Sequence, residues 1–364
     1  MSNARIGLVG TAWMCIFTLL VLLFPIAAWA QLSSAGGYYT ICDPSNGAMA
    51  DANCRSAVSR PILGGVPNGV RLNIEWSKLQ PYDPTGIKGC AIAPCGNYNW
   101  NVTTGAGSQS IDAFLANAKV NNQNIAVSLH AGFLTPQWAR GAVINCGSDV
   151  VNMPAPWDST FLANYNAAIN ALAAHLISQG VAPWVKIVHF SGIDTNTGEF
   201  YLVNGGANTA NCRGGNVSLN QAWASAGFTP NKIQGAANTL LDNYVRAFSS
   251  SSFKLGIIFS INVIYVNAFP PIDNGGNIYV PPPKAADALT RQVLQSLLTN
   301  TKYSNVKFAV QYNWLTNVPT ALQDLISSYK PKNNLGNIYT AWQMNNGGGR
   351  DEWRLLQLCR QRFG

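Results

Sequence analysis

The feature that most constrains this chain is a repeated alternation of short apolar runs with longer amphipathic stretches. The runs are rich in Val, Ile and Phe and are flanked by Gly, Asn or Pro. Strands buried on both faces of a parallel sheet have this near-continuous apolar character. The predicted strands are residues 69–76, 124–130, 185–193, 254–262, 306–313 and 337–343.

Helical spacing of apolar residues marks the stretches between these strands. Strand and helix in alternation predict βα units and a parallel sheet. No glycine-rich nucleotide-binding motif is present, and eight βα units need about 250 residues. We therefore predict an α/β fold, a (β/α)8 TIM barrel. The predicted helices are residues 110–121, 159–179, 231–248, 284–298, 320–329 and 351–363.

The sequence does not decide whether the predicted barrel closes. Residues 37–42 or 61–66 would supply a seventh strand, and the chain ends directly after a predicted helix. A (β/α)8 barrel needs eight strands. The barrel is therefore either completed by strands in the irregular N-terminal third or incomplete at the last strand.

The first 30 residues have the layout of a secretory signal peptide. Arg5 precedes an apolar run over residues 12–24, and Pro25 and Ala28-Trp29-Ala30 end it. An uncleaved anchor is the alternative, because residues 6–30 nearly suffice to span a bilayer. We expect cleavage before Gln31, export to the periplasm or the extracellular space, and no stable membrane insertion afterwards. The predicted segments are the signal peptide (1–30), an N-terminal disulfide-stapled segment (31–59) and the barrel domain (60–364).

Seven cysteines follow the signal peptide, and in an exported protein such residues usually form disulfides. Short separations favour Cys42–Cys54 and Cys90–Cys95, and the predicted barrel brings the loops of Cys146 and Cys212 to one face. Cys359 is then left over. The seven are Cys42, Cys54, Cys90, Cys95, Cys146, Cys212 and Cys359.

Charge and motif content exclude several classes of function. Only 10% of the residues are charged, and the net charge of +8 comes from scattered cations rather than a basic run. Nucleic-acid binding is therefore not expected. No Cys-x-x-Cys or His-x-x-x-His spacing suggests a metal site. We expect a monomer without metal or cofactor.

Several motifs, taken together, resemble one enzyme group. They are Gly69-Val-Arg-Leu-Asn-Ile-Glu-Trp-Ser-Lys-Leu-Gln-Pro81, Gly96-Asn-Tyr-Asn-Trp100, Thr135-Pro-Gln-Trp138, Met153-Pro-Ala-Pro-Trp-Asp158 and the segment 185–200. Over roughly residues 60–345 the chain resembles clan A glycoside hydrolases, especially the family 42 β-galactosidase type and a branch of secreted glycosidases. The resemblance implies hydrolysis of O-glycosidic bonds in an extracellular glycan by two carboxyl groups.

The resemblance gives the acid/base role to Glu199, with Asp194 as the alternative. The glutamate that such enzymes carry on a late strand is missing, because Gln311, Asn313 and Gln343 hold only amides. Glu75, near the end of a predicted strand, is our first choice for the second carboxylate. Asp351 and Glu352 are weaker choices, since acids in the first turn of a helix also stabilise its dipole.

Aromatic rings and amides near the strand ends are typical of a carbohydrate site, and we predict substrate contacts from eight residues. Two other hypotheses remain: a catalytically inactive barrel that binds carbohydrate or serves in the envelope, and an adhesive or structural protein. The predicted contacts are Trp76, Trp138, Trp157, His130, Gln311, Asn313, Trp342 and Gln343.

Overall fold

The computed structural model describes residues 37–42, 68–84, 98–102, 110–145, 152–193, 219–253, 258–262, 296, 300–303, 306–312, 338–346 and 350–357. Its strands are β1 (Gly37–Cys42), β2 (Asn68–Glu75), β3 (Asn124–His130), β4 (Val143–Ile144), β5 (Met153–Pro154), β6 (Val185–His189), β7 (Ile258–Asn262), β8 (Lys307–Tyr312), β9 (Ile338–Asn346) and β10 (Arg350–Gln357). Its α-helices are α1 (Trp76–Leu79), α2 (Ile111–Val120), α3 (Ser159–Ser178), α4 (Leu219–Ser225) and α5 (Pro230–Ala247).

Eight of the described strands form one sheet, and β4 and β5 form a separate antiparallel pair. The hydrogen-bonded order is β1-β10-β9-β8-β7-β6-β3-β2, and β2 pairs back onto β1. Pairing is parallel from β1 through β2, β3, β6, β7 and β8 to β9. The predicted α/β class is therefore confirmed.

The C-terminal strand corrects the sequence prediction. Residues 351–357 were expected to be helical, but they lie in β10, which is antiparallel to both β9 and β1. The sheet is thus mixed and differs from the all-parallel sheet of a (β/α)8 barrel. Helix-favouring Leu, Arg and Gln residues are overridden here, because pairing with two neighbouring strands satisfies the backbone of this segment.

Three helices begin at side chains that accept a hydrogen bond from the first turn. Ser110 Oγ accepts from the Ala113 N–H at 3.2 Å, and Asp158 Oδ1 accepts from Phe161 at 3.0 Å. Thr229 Oγ1 accepts from Lys232 at 3.2 Å. Each contact satisfies an amide that a helix N-terminus leaves without an intrahelical partner. The predicted starts of these helices therefore agree with the structure to within one residue.

The core lies between the sheet and the helices. Strand residues Val70, Leu72 and Ile74 belong to one buried cluster that also contains Phe114 of α2 and Leu172 of α3. Alternate strand residues therefore face the helices, and their neighbours face the other side of the sheet.

Several predictions fall on residues outside the described ranges. They are the signal peptide, the helices 284–298 (apart from Ser296) and 320–329, and every cysteine side chain. β1 lies within the predicted segment 31–59, and its backbone joins the same sheet as β2 and β10. Within the described ranges, no helix combines the length and apolar character that a bilayer crossing demands.

Candidate functional site

Polar side chains occupy the face of β2 that does not contact the helices. Arg71, Asn73 and Glu75 alternate with the core residues of the strand, and all three are buried. Arg71 Nε donates a 3.0 Å hydrogen bond to Asn73 Oδ1. Buried polar residues on one strand face are costly unless they are partnered, so their presence here marks a specialised surface.

This polar surface continues on the neighbouring strands. Asn73 lies opposite Ser128 in the β2–β3 ladder, and Glu75 lies opposite His130. On β6, His189 follows the core residue Val188 and therefore has the opposite orientation. Both histidines are buried. The carboxyl ends of β2, β3 and β6 thus bring one carboxylate and two imidazoles to one edge of the sheet.

Glu75 is the last residue of β2 and has a single described cation beside it. Its side chain is 7% exposed, and Oε1 lies 3.0 Å from Lys78 Nζ. Glu75 also occupies the N-cap position of α1 but accepts no capping hydrogen bond there. Its carboxylate therefore contacts a lysine whose own side chain is half-exposed.

A tryptophan pair lies immediately beyond this carboxylate. Trp138 Nε1 donates to the Gln80 carbonyl at 3.2 Å, and Trp76 Nε1 donates to Gln80 Oε1 at 3.1 Å. The two indoles meet edge to face, with 6.1 Å between ring centroids. Trp76 is fully buried and Trp138 is partly exposed. Trp76 therefore packs against the buried side of Trp138. Of the two indoles, only Trp138 has exposed ring surface that a ligand could contact.

A second aromatic group joins the loop after β3 to the chain after β6. Trp157 packs edge to face on Trp223 and Phe228, with centroids 5.8 and 6.2 Å apart. Lys232 Nζ lies over the Trp157 ring, 5.4 Å from its centroid. One face of Trp157 is thus covered by a cation, which reduces the ring surface available to a sugar.

The remaining predicted residues have only a backbone position or lie outside the described ranges. Gln311 on β8 lies opposite Asn262 and Ala341, Trp342 on β9 lies opposite Tyr312 and Arg354, and Gln343 lies opposite Trp353. Glu199, Asp194 and Asn313 are not among the described residues. The structure therefore places Glu75 opposite His130 and packs Trp138 on Trp76, and Glu199 and Asp194 lie outside the described residues.

Sequence reasoning missed two parts of this site. One is the cation that contacts Glu75, which is Lys78, three residues along the chain. The spacing of three residues across a strand end that turns into a helix was the available signal. The other is His189, the buried last residue of β6. Among the described residues, no three His, Cys, Asp or Glu side chains group as metal ligands do.

Comparisons with known proteins give limited information. No family model matches the sequence, and no curated protein matches it. Among solved structures, a monomer structure of a hyperthermophilic β-glucosidase mutant is 14% identical over 74% of this chain and 58% of its own, with a TM-score of 0.37. The hyperthermophilic β-glucosidase from Pyrococcus furiosus is 10% identical over 73% and 52%, with a TM-score of 0.35.

Endo-glycoceramidase II from Rhodococcus sp. is 14% identical over 84% of this chain and 72% of its own, with a TM-score of 0.31. The chain spans just over half the length of the two β-glucosidases. All three neighbours are glycosidases, but likenesses with TM-scores this low carry no argument. The functional assignment therefore depends on the residues of the site.

Proposed function

We propose that this chain is a glycoside hydrolase that cleaves O-glycosidic bonds at the carboxyl edge of its parallel strands. The observation that carries the proposal is the buried Glu75 at the end of β2, opposite His130 and followed along the chain by Trp76, on which the partly exposed Trp138 packs. In α/β sheets with parallel strands, ligands bind at this edge. A buried carboxyl group beside an indole is suited to a sugar, which has apolar faces bordered by hydroxyls.

Glycoside hydrolysis by this route needs two carboxyl groups on either side of the scissile bond. We assign one role to Glu75 and the acid/base role to Glu199, with Asp194 as its alternative. The motif resemblance supports the second assignment. One carboxyl group protonates the leaving oxygen, and the other attacks the anomeric carbon or activates water.

Glu352 is an alternative partner that lies on a strand and not on the predicted helix. The predicted helix would have explained Asp351 and Glu352 as acids in a first turn, but both lie in β10. Glu352 pairs with Thr40 of β1 and Met344 of β9. β10 begins where β9 ends, but across β1 the register sets Glu352 level with Val70, five residues before Glu75 on β2.

The substrate that we propose is an extracellular glycan, bound by a secreted, monomeric protein of the family 42 type after its signal peptide is cleaved. Trp138 supplies a ring face, His130 a hydrogen bond, and Trp157 a smaller contact. Amides and an indole at the ends of β8 and β9 complete the proposed contacts: Gln311, Asn313, Trp342 and Gln343. Trp76 acts by holding Trp138.

A catalytically inactive carbohydrate-binding protein is the second candidate. Gln311 and Gln343 favour it, because an amide neither forms a glycosyl ester nor deprotonates water, and these residues occupy late strands where glycosidases of this group carry glutamate. Such a protein would bind oligosaccharides through the same surface without turnover.

The test is hydrolysis of a panel of aryl glycosides by the full chain and by Glu75→Gln, Glu199→Gln and Glu352→Gln. These are the three glutamates of the sequence. Loss of a general acid or base typically lowers the rate by about 10²–10⁴-fold. We expect that loss in Glu75→Gln and in one of the other two variants, with each variant still folded at the assay temperature.

Equal rates for wild type and Glu75→Gln would exclude Glu75 from the chemistry. Absence of turnover on every glycoside, combined with oligosaccharide binding by calorimetry that Trp138→Ala abolishes, would favour the binding protein. Neither turnover nor binding would overturn both candidates.

A further inference from the structure

Three buried hydroxyl groups converge on one backbone carbonyl behind the candidate site. Tyr165 OH of α3 and Ser191 Oγ, just after β6, each donate to the Leu129 carbonyl oxygen of β3. Tyr244 OH of α5 lies 2.9 Å from both Tyr165 OH and Ser191 Oγ, which are themselves 2.6 Å apart. All four residues are buried. We call this group the hydroxyl cluster.

Proton counting gives the cluster a consistent hydrogen-bond arrangement. A carbonyl oxygen has two lone pairs, so Leu129 can accept from both Tyr165 and Ser191. Each hydroxyl has one proton, and Tyr244 is then left to donate to one of the two hydroxyl oxygens. The Leu129 carbonyl therefore connects α3 and the end of β6 to β3, and Tyr244 adds α5 through the other two hydroxyls.

The cluster stands where the ladder between β3 and β6 ends. The last paired residues of that ladder are Val127 and Val188, although β3 continues to His130. On its other side β3 stays paired with β2 up to Glu75 and His130. β3 and β6 thus separate at their carboxyl ends, and hydroxyls of Ser191 and Tyr165 replace the missing backbone hydrogen bonds at Leu129.

Gly192 shows how closely this arrangement is packed. Its φ is +108°, and a Cβ there would lie 2.7 Å from Tyr165 Cε1 and 3.1 Å from Leu240 Cδ1. Only glycine readily adopts such a backbone conformation. The chain after Ser191 therefore runs directly against the Tyr165 ring that carries the cluster.

The residues on the two sides of this gap belong to the candidate site. His130 directly follows Leu129, and His189 precedes Ser191 by two residues along the chain. We propose that the hydroxyl cluster is a positioning unit that fixes the separation of the β3 and β6 ends, and with it the placement of His130 and His189. The relevance of this positioning to catalysis rests on the proposed function, but the positions of the two histidines can be measured independently.

The experiment uses the three histidines of the chain, His130, His175 and His189, as reporters. Nuclear magnetic resonance of the full chain with isotope-labelled histidine gives one ring signal for each, assigned by single His→Gln variants. His175 is an internal control, because it lies on α3 with Nε2 2.6 Å from Asp112 Oδ1 and its ring stacked on Trp100.

We expect Tyr244→Phe and Ser191→Ala to shift the signals of His130 and His189 and to leave that of His175 unchanged. Ser191→Thr, which restores a hydroxyl, should move both signals back toward wild type. The matched control is Tyr303→Phe, which removes a hydroxyl hydrogen-bonded to Asp242 on the same helix α5 but remote from the strand ends. It should shift neither His130 nor His189.

Activity adds a second readout where the wild type hydrolyses an aryl glycoside. Misplacement of a binding or catalytic group affects turnover strongly, so we expect kcat to fall roughly tenfold with KM changed less than about twofold. If the wild type hydrolyses nothing, the proposed function fails, and the histidine signals still decide the positioning role.

Three results would overturn the inference. Variants that unfold at lower temperature with unchanged His130 and His189 signals would give the cluster a purely stabilising role. A shift in the signals of all three histidines, or the same shift of His130 and His189 in Tyr303→Phe, would indicate a general change in packing and not a specific positioning role. Should Tyr244→Phe fail to fold, Ser191→Ala, which removes one oxygen atom, decides the question alone.

Discussion

Glu75 and His130 are the last residues of adjacent parallel strands and lie opposite each other in the ladder. Neighbouring strands are about 4.8 Å apart, so residues paired in this way are direct neighbours on one face of the sheet. Both side chains are buried. From this relationship we expect an energetic coupling between the acid and the imidazole, and such a coupling is measurable without a substrate.

A double-mutant cycle measures this interaction. We expect Glu75→Gln and His130→Gln to be non-additive in the free energy of unfolding, with a coupling energy of about 0.5–3 kcal/mol. Urea unfolding of the wild type, both single variants and the double variant supplies the value. The control cycle pairs Glu75→Gln with His175→Gln, whose changes should add to within about 0.5 kcal/mol. Equal coupling in the two cycles would contradict a direct interaction.

The sequence predicted most of the described elements because their local signals agree with their packing. The strand 124–130 and the helix 159–179 match β3 and α3 to within one residue. In both, apolar residues have the period of the element, and polar or capping residues mark the ends. In these two segments the local sequence preference and the tertiary packing favour the same secondary structure.

The C-terminal strand was missed because the local sequence preference and the tertiary pairing disagree there. Residues 351–363 contain helix-favouring Leu, Arg and Gln, and their helical pattern concealed a β-hairpin. The Asn-Gly-Gly-Gly run before Arg350 was the available clue, since such residues are typical of turns between antiparallel strands. Pairing of β10 with β1 joins residues more than 300 positions apart, and no local pattern reveals such a contact.

The candidate site was predicted only in part for a similar reason. Glu75, His130 and Trp138 follow strand ends that were recognised from the sequence. The hydroxyl cluster was missed, because Tyr165 and Tyr244 fit a helical apolar stripe and look like ordinary core residues. The role of these hydroxyls is revealed only by the packing of the two helices, which brings Tyr165 to the Leu129 carbonyl and Tyr244 to Tyr165.

Gly192 and Gly235 form a matched pair of glycines with opposite expectations. We expect Gly192→Ala to lower the free energy of unfolding by at least about 2 kcal/mol, from backbone strain at positive φ and overpacking against Tyr165. Gly235 lies inside α5, and a Cβ there meets nothing within 4 Å. Gly235→Ala should therefore raise stability by about 0.4–1 kcal/mol. Denaturant unfolding of both variants checks the signs, and similar losses would contradict the described packing at Gly192.

Asn122 ends α2 in the left-handed conformation, with a φ of 52°. Its N–H bonds to the Lys119 carbonyl, the Gln123 N–H bonds to Ala118, and Asn122 Oδ1 accepts from Trp184 Nε1 at 2.9 Å. An alanine in this conformation costs about 1–2 kcal/mol. We expect Asn122→Ala to be less stable than Asn122→Gly by that amount.

Asn122→Gly and Trp184→Phe separate the two contributions at this helix end. Each removes the side-chain hydrogen bond while keeping the favoured backbone, and Asn122→Gly should cost about 0.5–1.5 kcal/mol. Thermal or urea unfolding gives the values. Equal stability of the alanine and glycine variants would mean that residue 122 does not hold the left-handed conformation in solution.

Two tyrosines predict a loss of stability in alkali. Burial raises the pKa of Tyr98 from 10.0 to about 12, although a hydrogen bond with the Gln80 side chain opposes the shift. Burial also raises the pKa of Tyr303, and the neighbouring Asp242 carboxylate adds to the effect. In both cases the folded chain keeps a phenol proton that the unfolded chain loses near pH 10.

The sign of the effect follows from proton linkage. Below about pH 10 both states are protonated, and the stability contributed by these phenols is fully present. As pH rises from about 10 toward 12, the unfolded state binds fewer protons than the folded state, so the free energy of unfolding decreases. We expect urea unfolding midpoints to fall over this interval, with a smaller slope in Tyr98→Phe and in Tyr303→Phe.

The same variants contain their own control. From about pH 7 to 9 neither state loses a phenol proton, so the stability difference between wild type and each phenylalanine variant should be constant. Above about pH 10 the stability difference should narrow. The wild type loses stability as the unfolded chain releases the proton of that phenol, whereas the variant lacks the phenol. A difference that stays constant up to pH 12 would show that the phenols titrate alike in the folded and unfolded chains, and the burial described for Tyr98 and Tyr303 would be wrong.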